Sequence, residues 1–172
     1  MKMIPAHVEI DAAFIATRTP WEVVEPMWWS VSVFDGPKQY ETDLQQFSRE
    51  QRYLFACMCY IGEVDNGGHD QFYANSVGIV WRDALAGFRA FGEAEAADIL
   101  AESARRMGGE PSLDRSERLE AQLQLRPDFR DLDERFYRLQ SSRSLQDSLA
   151  RSMRSNAEAF LLSGLMDLPP EN

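Results

Sequence analysis

Apolar side chains recur every three or four residues along most of this chain, a spacing that predicts amphipathic α-helices. Trp21, Val24 and Trp28 form one such stripe, and the pattern returns at intervals as far as Phe160. The only short stretch that suggests a strand is 31–34. The pattern therefore predicts an all-α protein, a single-domain irregular helical bundle of about six to eight helices.

Two capping boxes mark the starts of helices. In a capping box, the hydroxyl of a Ser or Thr bonds the backbone three residues on, and a Glu or Gln at that position bonds back. Thr19 with Glu22 fits this pattern, and so does Ser48 with Gln51. The helix after Ser48 is apolar on several sides, which predicts that it lies at the centre of the bundle.

Adjacent glycines interrupt this central helix. Gly67 and Gly68 predict a sharp change of chain direction, because glycine adopts positive φ at little cost. Further helices are predicted around Leu119, around Phe136 and towards the end of the chain. Since no repeat or linker divides the sequence, residues 1–172 are predicted to form a single helical domain.

The two cysteines, Cys57 and Cys59, lie in an apolar run of the central helix. Their side chains would point about 200° apart, so we expect no disulfide between them and interpret both as small buried apolar groups. The longest apolar run, 53–61, is far shorter than the roughly 20 residues that cross a bilayer. The start of the chain also lacks a signal-peptide core. These patterns predict a cytoplasmic protein without membrane contact.

A net charge of −10, from 28 acidic and 18 basic residues, limits the partners of the chain. It argues against direct nucleic-acid binding, because phosphates are neutralised by basic patches. Residues 63–110 hold nine acids and four bases and carry half of the net charge. This balance favours a basic protein partner, or it serves solubility alone.

An acidic docking surface is one hypothesis for this central part of the sequence. Glu95, Asp98 and Glu102 are spaced so that they share one face of a helix. The alternative is an ordinary solvated surface, because many of the acids have an arginine within one turn. The candidate docking residues are Asp83, Glu93, Glu95, Asp98 and Glu102.

The most distinctive segment is 63–76, where short polar side chains surround the two glycines. The structural interpretation is a buried polar hinge in which every amide is paired. A metal site would have to use its acidic and imidazole groups, Glu63, Asp65, His69 and Asp70. The only other histidine is His7, and no metal-binding spacing or nucleophile motif occurs. We therefore expect no metal, no cofactor and no catalytic residue.

Residues 63–78 read Glu-Val-Asp-Asn-Gly-Gly-His-Asp-Gln-Phe-Tyr-Ala-Asn-Ser-Val-Gly. They resemble the motif Glu-Val-Asn-Asn-Gly-Gly-Phe-x-Gln-Phe-Phe-x-Asn-Ser-x-Gly of a bacterial family first catalogued as a domain of unknown function. The close similarity continues to about Ala101, and a family-like core is expected over about 48–165. His69 stands where the family usually has Phe, and Asp65 where it often has Asn. The motif positions, predicted to be structural, are Glu63, Asn66, Gly67, Gly68, Gln71, Phe72, Asn75, Ser76 and Gly78.

That family includes an acidic, all-helical dimer that looks like a DNA mimic and occupies the DNA-binding face of a transcription repressor. The resemblance implies a similar fold here, a DNA-binding protein as partner, a role in transcription regulation and a homodimer. Because no catalytic motif occurs, we expect that the chain is not an enzyme.

Two alternatives to mimicry stay open. The first is an interaction or immunity-type protein that binds through exposed aromatic residues, with Trp21, Trp28, Trp29 and Trp81 as candidates. The second is a small-ligand-binding protein with a pocket at the Gly67-Gly68 turn.

Overall fold

A computed structural model of the chain describes residues 3–170. Most of these residues are helical, which confirms the predicted fold class, although the nine α-helices exceed the predicted six to eight. None of the helices within 3–170 has both the length and the apolar character needed to cross a membrane. Along the chain, the elements are β1 (Ile4–Ile10), α1 (Ala12–Thr17), α2 (Pro20–Ser30), α3 (Pro37–Leu44), α4 (Arg49–Ala74), α5 (Trp81–Ala90), α6 (Ala94–Arg106), α7 (Arg115–Leu125), α8 (Arg130–Ser142), α9 (Leu145–Ser155) and β2 (Leu162–Leu168), with 3₁₀ turns at Ser76–Val80 and Ala157–Phe160.

Both predicted capping boxes are present. At the start of α2, the Thr19 hydroxyl accepts a hydrogen bond from the Glu22 amide at 3.2 Å, and the Glu22 carboxylate accepts one from the Thr19 amide at 2.8 Å. At the start of α4, Ser48 and Gln51 make the same reciprocal pair at 3.1 and 2.8 Å. Each cap satisfies amides that a helix leaves unpaired and stabilises it by about 1 kcal/mol.

Helix α4 is the central element of the molecule, as its apolar pattern predicted. It has 26 residues and packs against α2, α5, α7 and α8. Eight successive residues, from Leu54 to Ile61, are buried. A helix buried on all sides must be enclosed by others, so the remaining helices are arranged around this one.

The predicted change of chain direction is a kink within α4. Gly67 and Gly68 leave helical geometry, and Gly68 has a φ of +70°, so α4 consists of two helical segments that meet at these glycines. A Cβ atom at Gly68 would lie 2.6 Å from the Asp133 carboxylate. Both the backbone conformation and the close approach of α8 therefore require glycine at this position.

A two-stranded antiparallel sheet joins the two ends of the described chain and was not predicted. β1 and β2 pair from Ile4 opposite Leu168 to Ile10 opposite Leu162. The predicted candidate strand at 31–34 is wrong, because these residues form bends between α2 and α3. The pairing strands are far apart in sequence, so no local turn signal connects them.

Cys57 and Cys59 are free and buried, as predicted. Burial raises the pKa of both thiols, because the apolar surroundings disfavour the thiolate. We expect neither thiol to react with iodoacetamide at pH 8 in the folded protein and both to react in denaturant, as counted by mass spectrometry. Alkylation of the folded protein at the rate of free cysteine would contradict this placement of α4.

Candidate functional site

Three polar side chains bridge the kink on one side of α4. One oxygen of the Glu63 carboxylate accepts hydrogen bonds from the amides of Gln71 and Asn75, each at 2.9 Å. The Gln71 side chain folds across Gly67, where any Cβ atom would overlap with it. Side chains of the polar motif (residues 63–78) therefore bond to one another across the kink, as expected for a hinge whose side-chain amides are paired.

His69 ties the kink to α8. Its ring is fully buried, with Nδ1 2.5 Å from Asp133 Oδ1 and Nε2 2.7 Å from the Tyr60 hydroxyl. The same Asp133 oxygen accepts the His69 backbone N–H at 2.9 Å. Burial raises the pKa of Tyr60 well above its usual range, so its hydroxyl keeps its proton at neutral pH.

This arrangement leaves the His69 ring unavailable to a substrate. Both ring nitrogens have partners within the protein, and the ring has no exposed surface. Asp70, its neighbour, accepts hydrogen bonds from the Gln122 amide through its carbonyl at 3.1 Å and its carboxylate at 3.0 Å. The histidine and the acids around it therefore join α4 to α7 and α8.

Arg118 of α7 completes the polar motif, and the sequence analysis did not find it. The side chain is fully buried and donates hydrogen bonds to four backbone carbonyls at 2.8 to 3.1 Å. One of these, of Tyr73, belongs to the end of α4, where helical carbonyls lack partners, and another belongs to Asn75, the residue after the helix. Burial lowers the pKa of Arg118 to about 10, so the guanidinium is charged at pH 7. The other two carbonyls are those of Ser112 and Leu113.

Of the remaining motif residues, Gly78 packs directly against this arginine. A Cβ atom at Gly78 would lie 2.6 Å from the Phe72 carbonyl and 2.9 Å from Arg118 Nε, so only glycine fits there. Phe72 is buried with its ring 5.0 Å from that of Tyr60. Ser76 begins the 3₁₀ turn that follows, and Asn66 lies exposed at the kink.

The five candidate docking acids differ in their surroundings. Asp83 is half-buried, 3.3 Å from Arg52 and 3.1 Å from the Tyr40 hydroxyl. Glu102 bonds Arg105 and also Arg106, the latter at 3.0 Å. Two of the five are exposed and have no ion pair among the described residues, Glu95 and Asp98.

Glu93 does not belong to a docking surface, which corrects the sequence-based expectation. It is 2% exposed, and one of its oxygens lies 2.6 Å from Arg143 Nη1. The angle between the two groups falls outside hydrogen-bond geometry, so the contact is an ion pair. Glu93 follows the glycine that ends α5, and this tight connection directs its side chain inward.

Residues 45–156, about two thirds of the chain, match the family described as DMP19-like protein. The chain belongs to the DMP19-like protein family. The matched segment runs from the start of α4 to the end of α9 and so includes the polar motif, Arg118 and the acids of α6. No curated protein and no solved structure matches the chain.

The DMP19-like chain also has exposed aromatic residues on α2 and after it. Trp21 and Trp29 are each 37% exposed and Phe34 is 77% exposed. Trp81, in contrast, is buried and donates its indole N–H to the Pro111 carbonyl at 2.8 Å. Exposed aromatic residues are common in protein-binding surfaces.

Proposed function

We propose that this DMP19-like protein is an acidic protein-binding module, a DNA mimic that occupies the DNA-binding face of a transcription regulator. Family membership carries the proposal, because the family that the polar motif resembles includes such a mimic. The net charge of −10 agrees with the proposal. A partner that binds DNA presents a basic surface to the phosphates, and an acidic protein can bind the same surface.

A mimic must display carboxylates that neighbouring cations do not neutralise. On α6, Glu95 meets this condition. Asp98, three residues further on, forms no ion pair with a described residue but shares a surface depression with Arg105, Arg106 and Arg135. On α4, Asp65 and Asp70 are held by the side-chain amides of Gln140 and Gln122, at 3.1 and 3.0 Å. Neutral donors fix the position of a carboxylate without cancelling its charge. These acids support a surface of fixed negative charge.

We also propose that the protein is a homodimer in the cytoplasm and that it is not an enzyme. A symmetric dimer is the commonest oligomer and would double the acidic surface. The burial of His69 and the pairing of both its ring nitrogens support a non-catalytic role.

The proposal predicts competition between duplex DNA and the protein for the same partner. Immobilised protein is incubated with a lysate of its own host, and bound proteins are eluted with duplex DNA or with salt of equal ionic strength. We expect a DNA-binding protein in the DNA eluate. Glu95→Gln with Asp98→Asn should weaken its binding at least about fivefold at low salt, because charge complementarity governs such encounters.

The matched control removes two exposed charges elsewhere that also form no ion pair with a described residue, Glu120→Gln with Glu158→Gln, and should leave that binding unchanged. Equal losses in both double variants would mean that net charge alone attracts the partner, and mimicry by α6 would be excluded.

A second candidate function is favoured by the exposed aromatic residues. A partner that resists duplex DNA but is lost from Phe34→Ser would indicate an interaction module that binds through the exposed aromatic surface at Phe34 and its neighbour Trp29. That result would replace the mimic proposal.

A further inference from the structure

A groove of about 470 Å³ lies between α2 and the terminal sheet. Its apolar lining comes from both strands and from the first two helices, and includes Ile10, Phe14, Pro26, Trp29 and Leu168. All of its lining residues lie outside 45–156, the segment that places the chain in its family. Its role is therefore separate from what the family match indicates.

The groove carries an excess of negative charge. Glu9, Glu22 and Glu25 line it together with His7. Arg18, just outside the lining, pairs with Glu22 at 3.1 Å, so Glu9 and Glu25 are the carboxylates without an ion pair among the described residues. Glu22 accepts hydrogen bonds from the Thr19 cap and from Arg18, which lower the pKa of its carboxyl and keep it ionised. Glu9 is oriented by the Ser163 hydroxyl at 2.7 Å, and Glu25 forms no ion pair with any described residue. Such a groove attracts a cation.

Trp29 provides an aromatic wall of the groove. Its indole is 37% exposed and lies in the same lining as Glu25, four residues earlier on α2. A guanidinium stacks on an indole face and donates hydrogen bonds to carboxylates in its own plane. A hydrated ammonium or a metal ion stacks less favourably on the indole face, because it is not planar and holds its water more strongly.

We propose that this terminal groove binds an arginine side chain presented by a basic segment of a protein partner. Charge complementarity and the aromatic wall identify the occupant, and the apolar lining accommodates the methylene groups of the arginine and its neighbours. The inference goes beyond the proposed function, because it needs neither a DNA-binding partner nor the acids of α6.

The test uses a fluorescent peptide, Gly-Gly-Arg-Gly-Arg-Gly-Gly, and the same peptide with citrulline in place of both arginines. Binding to the full chain is measured by fluorescence anisotropy. We expect the arginine peptide to bind about tenfold more tightly, because citrulline keeps the shape but loses the charge. Glu25→Gln and Trp29→Leu should each weaken it about fivefold or more.

Glu120→Gln is the matched control, since it removes an exposed charge on α7 outside the groove and should leave binding unchanged. Circular dichroism verifies that each variant is folded, and Glu25→Gln tests the site even if Trp29→Leu is unstable. Equal binding of the citrulline peptide, or an equal loss in Glu120→Gln, overturns the proposal. So does binding of free arginine amide as tight as that of the peptide, because the groove would then take a small cation.

These outcomes are distinguishable from failure of the proposed function. If peptide binding is lost in Glu25→Gln but kept in the α6 double variant, arginine binding in the groove is supported, whatever the DNA competition shows. If duplex DNA competes for the partner but no arginine-dependent peptide binding occurs, only the groove proposal is overturned.

Discussion

Arg118→Met is expected to lower the free energy of unfolding by about 3–5 kcal/mol, the range for removing one member of a buried polar network. Methionine fills much of the space but donates no hydrogen bond. The backbone carbonyls that now accept from the guanidinium would lose this donor, including that of Tyr73 at the end of α4. The loss would be measured by urea denaturation followed by circular dichroism.

Arg115 offers a matched control on the same helix. It is exposed and donates to the Ala74 carbonyl at 2.8 Å, so Arg115→Met should cost less than about 1 kcal/mol. Arg118→Lys should fall between the two, because an ammonium keeps the charge but cannot reach as many carbonyls. If Arg118→Met cost no more than Arg115→Met, the end of α4 would not depend on this guanidinium.

Gly68→Ala is expected to lower the free energy of unfolding by about 2–4 kcal/mol. One part of the cost is the backbone, because φ is +70° at Gly68. The other part is steric, because the new Cβ atom would lie 2.6 Å from the Asp133 carboxylate. Moving that carboxylate also weakens its hydrogen bonds to the His69 ring and amide. Urea denaturation gives the total cost.

Gly92→Ala separates the two contributions. Gly92 has a φ of +78°, but nothing lies within 4 Å of the Cβ atom that alanine would add. Its substitution should cost only the backbone part, about 1 kcal/mol. Equal losses in the free energy of unfolding for Gly68→Ala and Gly92→Ala would show that the close approach of Asp133 in α8 does not restrict the residue at position 68.

Features that depend on near neighbours in sequence were predicted well. Thr19 with Glu22 and Ser48 with Gln51 are three residues apart, so their bonds follow from the sequence alone. The position of α4 at the centre also followed, because its apolar residues occupy several faces. The pair of strands was missed because Ile10 meets Leu162 only after all nine helices have intervened.

The candidate site shows the same limit. Gly67 and Gly68 indicated where the chain bends, but not that α8 would approach there. The contact of His69 with Asp133 joins residues 64 apart in sequence, and Arg118 meets the Tyr73 carbonyl across 45. Arg118 lies in a stretch of mixed charge that is typical of a solvated helix, so no local pattern marked it as buried. Glu93 was placed on the surface for the same reason.

The terminal sheet also has a consequence for the order of events during synthesis. β1 leaves the ribosome before helices α1 to α9, and its partner strand emerges only after them. Until then, Val8 and Ile10, which are buried in the finished protein, have no strand beside them. Joining ends so distant along the chain is entropically unfavourable until the helices between them have docked. The sheet therefore forms late, after the helices have folded. A chain truncated before β2 would contain the folded helices and an unpaired β1 that is prone to aggregate.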